Sequence, residues 1–197
     1  MLLLFASLWL EPDPEPVDEA EVVRLLRQAQ VGNVRATQRL YQLHVARVYR
    51  ATRGVCVSDA DAEELTHDAF VDALSNLARF SPRPGARFVG WLVTLALNRA
   101  RKRNRMARAE STEPPRLEQL AGADPDALDE VTLGRRRALL AALAQLPERD
   151  RQVVSLFYGA ELTADEVAQA VGVSAANVRK ICERQRERLL SLLREAA

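Results

Sequence analysis

Five short polar side chains punctuate this chain: Asp18, Asn33, Ser58, Thr163 and Ser174. Each stands just before a stretch whose apolar residues recur at three- and four-residue intervals. In that place a Ser, Thr, Asp or Asn side chain accepts a hydrogen bond from one of the orphan N–H groups of a helix's first turn. Thr163 with Glu166 three residues on forms the pattern of a reciprocal capping box, and Ser58 with Asp61 a weaker one. Behind Asp18 the apolar face is Val22, Val23, Leu25 and Leu26. Behind Asn33, through about Arg53, it is Leu40, Leu43/His44, Arg47/Val48 and Ala51. Behind Ser58, to about Leu77, it is Ala62, Leu65, Ala69, Ala73 and Leu77. Gly32-Asn33, Pro147 and Gly172-Val173 supply the breaks. No segment carries the alternation of β-branched and aromatic residues that strands need. The fold class this predicts is all-α.

Charge is sorted along the chain. The block Asp59–Leu77 carries six carboxylates (Asp59, Asp61, Glu63, Glu64, Asp68 and Asp72) and no Lys or Arg. From Arg83 to Arg108 there are eight Lys/Arg residues and no acid, although the whole chain has a net charge of only +1. Acids in a helix's first turns suit the positive end of its dipole, but Asp68 and Asp72 lie too deep for that effect. The basic helix, expected from about Arg87 to Arg108, carries a packing stripe in its first half: Phe88, Trp91, Leu92, Leu95 and Ala96. Its second half holds six cations between Arg99 and Arg108 and must meet water or phosphate. Phe80 and Trp91 flank this run and offer aromatic faces to an unstacked base, although Trp91 fits core packing better. Phe80, Pro82, Pro84 and Gly85 predict a short, stiff loop between the two blocks.

Residues 109–130 change character, with seven acids, one Arg and three prolines, and read as a linker at a domain boundary. The expected organisation is two small helical domains joined by an acidic linker: 18–108, then 109–125, then 126–197. A helix from about Asp126 to Leu146 and a short one from Glu148 to about Tyr158 precede the Thr163 and Ser174 helices. The last two have the grammar of a helix-turn-helix, with Val167, Ala168 and Val171 packing on Val173, Val178 and Leu189. Ser174, Asn177, Arg179, Lys180 and Arg184 then lie where a major groove would be met.

The remaining signals point elsewhere or nowhere. Cys56 and Cys182 fit no metal spacing and read as reduced thiols. MLLLFASLWL is well short of the ~20 apolar residues that span a bilayer. It lacks the basic start of a secretory signal, and the proline-acid run to residue 17 follows it, so it reads as a short hydrophobic appendage. Glu64 and His67 have the E-x-x-H spacing of di-iron bundles, but the other histidine, His44, has Tyr41 three residues before it, so the second half of the motif is missing. With no phosphate loop, metal cluster or nucleophile pattern, neither catalysis nor a cofactor or metal is expected. Three readings survive from the residues alone: a protein that meets one partner through its acidic helix and nucleic acid through its basic one, a stand-alone helix-turn-helix regulator using only residues 147–193, or a helical adaptor or anti-regulator whose basic run is merely solvated.

Four stretches resemble the compact, two-domain extracytoplasmic-function sigma factors of bacterial RNA polymerase. Val31-Gly-Asn-Val-Arg-Ala36 with Leu40-Tyr41 is similar to the family's opening Gly-Asp-x-x-Ala…Leu-Tyr helix. Asp61-Ala-Glu-Glu-Leu-Thr-His-Asp-Ala-Phe70 resembles its Asp-Ala-Glu-Asp-Leu-Thr-Gln-Glu-x-Phe signature. Phe88-Val-Gly-Trp-Leu92 with Asn98-Arg99 resembles its Phe-x-x-Trp-Leu…Asn block, and Leu146-Pro-Glu-Arg-x-Arg151 with the helix-turn-helix matches its second domain. His67 departs from a usual Gln, Ile181 from a frequent Arg, and Cys182 from a frequent Leu or Ile. The resemblance implies a promoter-specificity subunit of RNA polymerase, cytoplasmic and not inserted in a membrane, with an anti-sigma factor as a common companion. It implies that Asp61, Glu64, Leu65, Asp68, Phe70, Val71 and Asp72 meet the coiled coil of the polymerase β′ subunit. Asn76, Phe80, Arg87, Trp91, Asn98, Arg99, Arg101 and Lys102 would capture the melted minus-ten element. Ser174, Asn177, Arg179, Lys180 and Arg184 would read the minus-thirty-five duplex.

Overall fold

A computed structural model describes residues 17–56, 58–80, 87–110 and 130–195. The hydrophobic appendage, the proline-containing loop and the acidic linker lie outside these. The described residues form helices and turns, with no strand among them. In chain order the helices are α1 (Glu19–Gln30), α2 (Val34–Arg53), α3 (Asp59–Ser75) with a 3-10 turn at Leu77–Arg79, and α4 (Phe88–Glu110). Then come α5 (Glu130–Ala144), α6 (Glu148–Val154) with a π turn at Ser155–Gly159, α7 (Ala164–Val171) and α8 (Ala175–Glu195).

All five predicted caps form. Asp18 accepts from the Ala20 N–H at 2.9 Å, Asn33 from Ala36 at 3.1 Å, Ser58 from Asp61 at 3.1 Å and Ser174 from Asn177 at 3.2 Å. Thr163 accepts from the Glu166 N–H while Glu166 accepts from the Thr163 N–H at 2.8 Å, completing the box. Each such cap is worth ~1 kcal/mol to its helix. Gly172, at φ +75°, ends α7 in the left-handed region that a residue with a Cβ enters at a cost.

Helices α2, α3 and α4 pack on one another behind α1. The α3 stripe Ala62, Leu65, Ala69 and Ala73 is buried, as are Phe88, Leu92 and Ala96 of α4. A hydroxyl pair, Thr52 and Thr66 at 3.0 Å, links α2 to α3 inside this core. In the C-terminal unit, Val167 of α7 packs with Val178, Ile181 and Cys182 of α8. Leu189 does not join them as the sequence suggests. It faces a second cluster with Leu139, Leu143, Leu146 and Val154, which ties α8 to α5 and α6. Helix α6 is also shorter than expected, because the chain widens into the π turn before Tyr158.

The two units share one core. Val153, Leu156, Leu162 and Val167 belong to the same buried cluster as Leu43, Phe88 and Leu92. Gly159 makes this approach feasible, since a Cβ there would lie 3.3 Å from Arg50 Cβ and 3.5 Å from its backbone. The linker composition predicts two helical units, but nothing local in it signals that they lean on each other.

Candidate nucleic-acid and polymerase interface

The two charged blocks fold into adjacent antagonists. Arg99 of α4 donates to Asp72 (2.8 Å) and to Asp68 (2.8 Å) of α3. One turn further on, Arg103 reaches Asp61 at 2.9 Å and Glu64 at 2.7 Å. Residues 99 and 103 share a helix face, as do 61, 64, 68 and 72, so parallel rows of opposite charge meet edge to edge. The hydrogen bond to Asp72 holds the Arg99 guanidinium above its ordinary pKa, and that to Glu64 does the same for Arg103. All six side chains remain at least a third exposed. Such pairs are worth only ~0–1 kcal/mol each, so an incoming partner can replace them cheaply.

Around this ridge the predicted residues separate. Val71 is half exposed and Glu64 is exposed, whereas Leu65 (3 %) and Phe70 (2 %) are buried. Leu65 sits in the α3 core stripe, and the Phe70 ring lies 4.7 Å from that of Tyr41. A surface role for these two side chains is therefore corrected: in this conformation they support α3 from within. Asn98 and Lys102 are exposed on α4. Asn76 closes α3, its side-chain amide donating to the Asp72 carbonyl at 2.9 Å. Phe80, Phe88 and Trp91 form one aromatic cluster, with Phe80–Trp91 centroids 4.8 Å apart, so Trp91 is half-buried packing as its stripe predicts.

Arg87 and Arg101 are turned toward the C-terminal unit. Arg87 donates to Glu166 through Nε at 3.0 Å and NH2 at 2.6 Å, and NH2 also donates to the Glu161 carbonyl at 2.8 Å. Arg101 donates to the Ala170 carbonyl at 2.8 Å. Neither guanidinium stands open toward nucleic acid in this conformation, contrary to expectation. Burial pushes the Glu166 carboxyl up, but its bonds from Arg87 and Thr163 outweigh that and leave it below the usual range. Glu161 adopts φ +55° and sends its carboxylate to Arg47 at 3.1 Å. Sequence reading missed Glu161 and Glu166 as contacts between units. The capping-box signal explained Glu166 completely, and a side chain with one sufficient role hides a second.

Ser174, the cap of α8, and Asn177, Arg179, Lys180 and Arg184 along it are all exposed. Ile181 and Cys182, the departures from the family pattern, are 4 % exposed and face the core. Their side chains therefore leave the exposed surface of α8 unaltered. Arg184 also bonds Asp150 of α6, at 2.7 Å. The Glu64/His67 pair gains no further ligand: among the described residues no three His, Cys, Asp or Glu side chains cluster as a metal site would need. Nor is any described helix long and apolar enough to cross a membrane.

Comparison with known proteins bears on this geometry directly. Residues 40–110, spanning α2 to α4, match sigma-70 region 2, and residues 142–189, spanning α6 to α8, match sigma-70 region 4. The sigma factor SigK of Mycolicibacterium vanbaalenii is 32 % identical over 180 residues, 90 % of each chain. CarQ of Myxococcus xanthus, an RNA polymerase sigma factor, is 32 % identical over 167 residues, 81 % of this chain and 90 % of that one. Among solved structures, CnrH in complex with the cytosolic domain of CnrY superposes with a TM-score of 0.61 at 26 % identity, over 91 % of this chain and all of that one. The fold is also that of RpoE from Bartonella quintana, solved with the anti-sigma factor NepR, at a TM-score of 0.60 and 20 % identity. With both regions matched in order and full-length relatives above 30 % identity, the chain belongs to the extracytoplasmic-function sigma factors of RNA polymerase.

Proposed function

We propose that this sigma factor docks on polymerase through the outward edge of α3 and captures promoter DNA through α4 and α8. The α3 side chains that meet the β′ coiled coil are Asp61, Glu64, Asp68, Val71 and Asp72, with Leu65 and Phe70 holding that edge from inside. Along α4, Asn98, Arg99 and Lys102 take the melted minus-ten strand beside the Asn76 and Phe80 corner. Arg87 and Arg101 join them once they leave Glu166 and Ala170. The exposed row on α8 reads the minus-thirty-five duplex. The protein acts by binding, in the cytoplasm, while polymerase supplies the chemistry.

The observation that carries this reading is the α3–α4 ridge. It presents acids and cations side by side, each paired and each still reachable from solvent. A purely structural ion-pair row needs neither that exposure nor cations continuing past the last acid, as Arg105 does. CnrH was solved with the cytosolic domain of CnrY and RpoE with the anti-sigma factor NepR, and an anti-sigma factor is also a partner to expect here. The test is to add the purified chain to sigma-free core polymerase on genomic templates and map transcript starts. Discrete starts with shared upstream elements are expected, and their loss when Asp68 and Asp72 are reversed to Lys. Specific duplex binding without polymerase, indifferent to that reversal, would favour the stand-alone regulator instead.

A further inference from the structure

Asp150 lies in the first turn of α6, and its side chain is about nine-tenths buried. Its Oδ2 accepts two hydrogen bonds from consecutive residues of α8: Arg184 NH2 at 2.7 Å and Gln185 Nε2 at 2.5 Å. Consecutive helix residues point about 100° apart. Gln185 accordingly aims inward and is 3 % exposed, while the Arg184 side chain is 66 % exposed. One carboxylate oxygen thus grips α8 by an inward and an outward side chain together. That grip fixes the helix against rotation about its axis and against sliding along it.

We infer that Asp150 is a positioning residue for promoter reading: it sets the register of α8 and aims Arg184 at a phosphate of the bound duplex. The inference rests on the reading of α8 as the helix that meets the minus-thirty-five element. Arginine carries five N–H donors in a rigid fork, so one terminal nitrogen can stay on Asp150 while the exposed remainder meets a phosphate oxygen. Gln185 makes the arrangement sensitive to Asp150. Its Oε1 is buried without a hydrogen-bond partner, so the bond to Asp150 is what satisfies the amide. If that bond is removed, the whole side chain becomes a buried polar group with an incentive to turn out. Turning out takes the neighbouring Arg184 off the line on which Asp150 holds it. Neither Asp150 nor Gln185 reaches the exposed surface, so neither belongs among residues chosen for contacting DNA.

The experiment is a double-mutant cycle in polymerase holoenzyme, on a duplex carrying the upstream element of a promoter mapped for this chain. Binding is titrated at several salt concentrations for Asp150→Asn, Arg184→Gln and the pair. Asp150→Asn keeps an acceptor for Gln185 and the side-chain shape, so thermal unfolding should barely move, while the charge that holds Arg184 in place is lost. Asp150→Asn should weaken binding about five- to tenfold, and Arg184→Gln about tenfold with a salt slope lower by about one ion. The double variant should bind no worse than Arg184→Gln alone. Wild-type binding by Asp150→Asn overturns the inference. So does a Asp150→Asn loss that persists undiminished in the Arg184→Gln background, which would make the carboxylate a matter of fold stability only. If Arg184→Gln leaves both affinity and salt slope unchanged, the reading of α8 as the contacting helix fails instead.

Discussion

Replacing Arg87 with Ala should loosen the packing between the two helical units by about 2 kcal/mol. The guanidinium makes a forked contact with Glu166 and a third bond to the Glu161 carbonyl, all across the boundary between the units. Breaking a fully buried pair of this kind costs ~3–5 kcal/mol, and an exposed pair is worth ~0–1 kcal/mol. Here Glu166 is 8 % exposed and Arg87 31 %, which puts the cost between those limits. Glu166 keeps its bonds from the Thr163 N–H and hydroxyl, so the carboxylate left behind is not wholly abandoned and the lower half of the range applies. Urea unfolding of the full chain reads this as a lowered midpoint. A cycle with Glu166→Gln, which preserves the cap geometry, isolates the pair at about 1–2 kcal/mol of coupling. Coupling below about 0.3 kcal/mol would refute the argument, because the contact would then be an incidental meeting of two surfaces.

Three other outcomes follow from the same packing. His44 is buried between Phe88 and two arginines, and burial followed by Arg47 and Arg87 lowers its pKa to about 4. Its folded pKa is depressed below ~6.5, so its contribution is complete above that pH and is lost as pH falls toward 4, by at most ~1.4 kcal/mol per unit. His44→Leu should flatten unfolding curves between pH 6.5 and 4.5, whereas Glu166, also depressed, acts only below about 4.5. Gly90→Ala should destabilise by about 1 kcal/mol in thermal unfolding, since its Cβ would sit 3.1 Å from Glu166 Oε1, in a carboxylate that Arg87 and Thr163 hold in place. Gly134→Ala, with open space around it, should gain ~0.5–1 kcal/mol. Cys56 and Cys182 are buried and pushed up to about 12, mainly by that burial, so iodoacetamide at pH 8 should label them slowly until urea is added.

What was legible in the sequence was local. The five caps, the α3 stripe and the left-handed Gly172 each depend on residues within one or two turns, and each forms as its spacing predicts. The Arg47 position on the apolar side of α2 was legible too, but the burial of Arg50 and Arg53 was not. Long basic side chains give no sign in a linear pattern that a second unit will cover them. Arg87 and Glu166 are 79 residues apart, and Arg99 and Asp68 are 31 apart, so charge sorting alone pointed to separate partners rather than to each other. Leu65 shows the two kinds of reading in conflict. Periodicity put it inside, the resemblance put it at a polymerase contact, and packing followed periodicity.

The paired rows on α3 and α4 make the two proposed surfaces inseparable as targets of mutation. On the proposed reading, removing the Asp68 and Asp72 carboxylates to weaken docking on polymerase also unties Arg99, and so alters how nucleic acid is held in the opposite sense. On that reading, drift on one helix has to be matched on the other, and engineering a new promoter preference through Arg99 starts with the acids facing it.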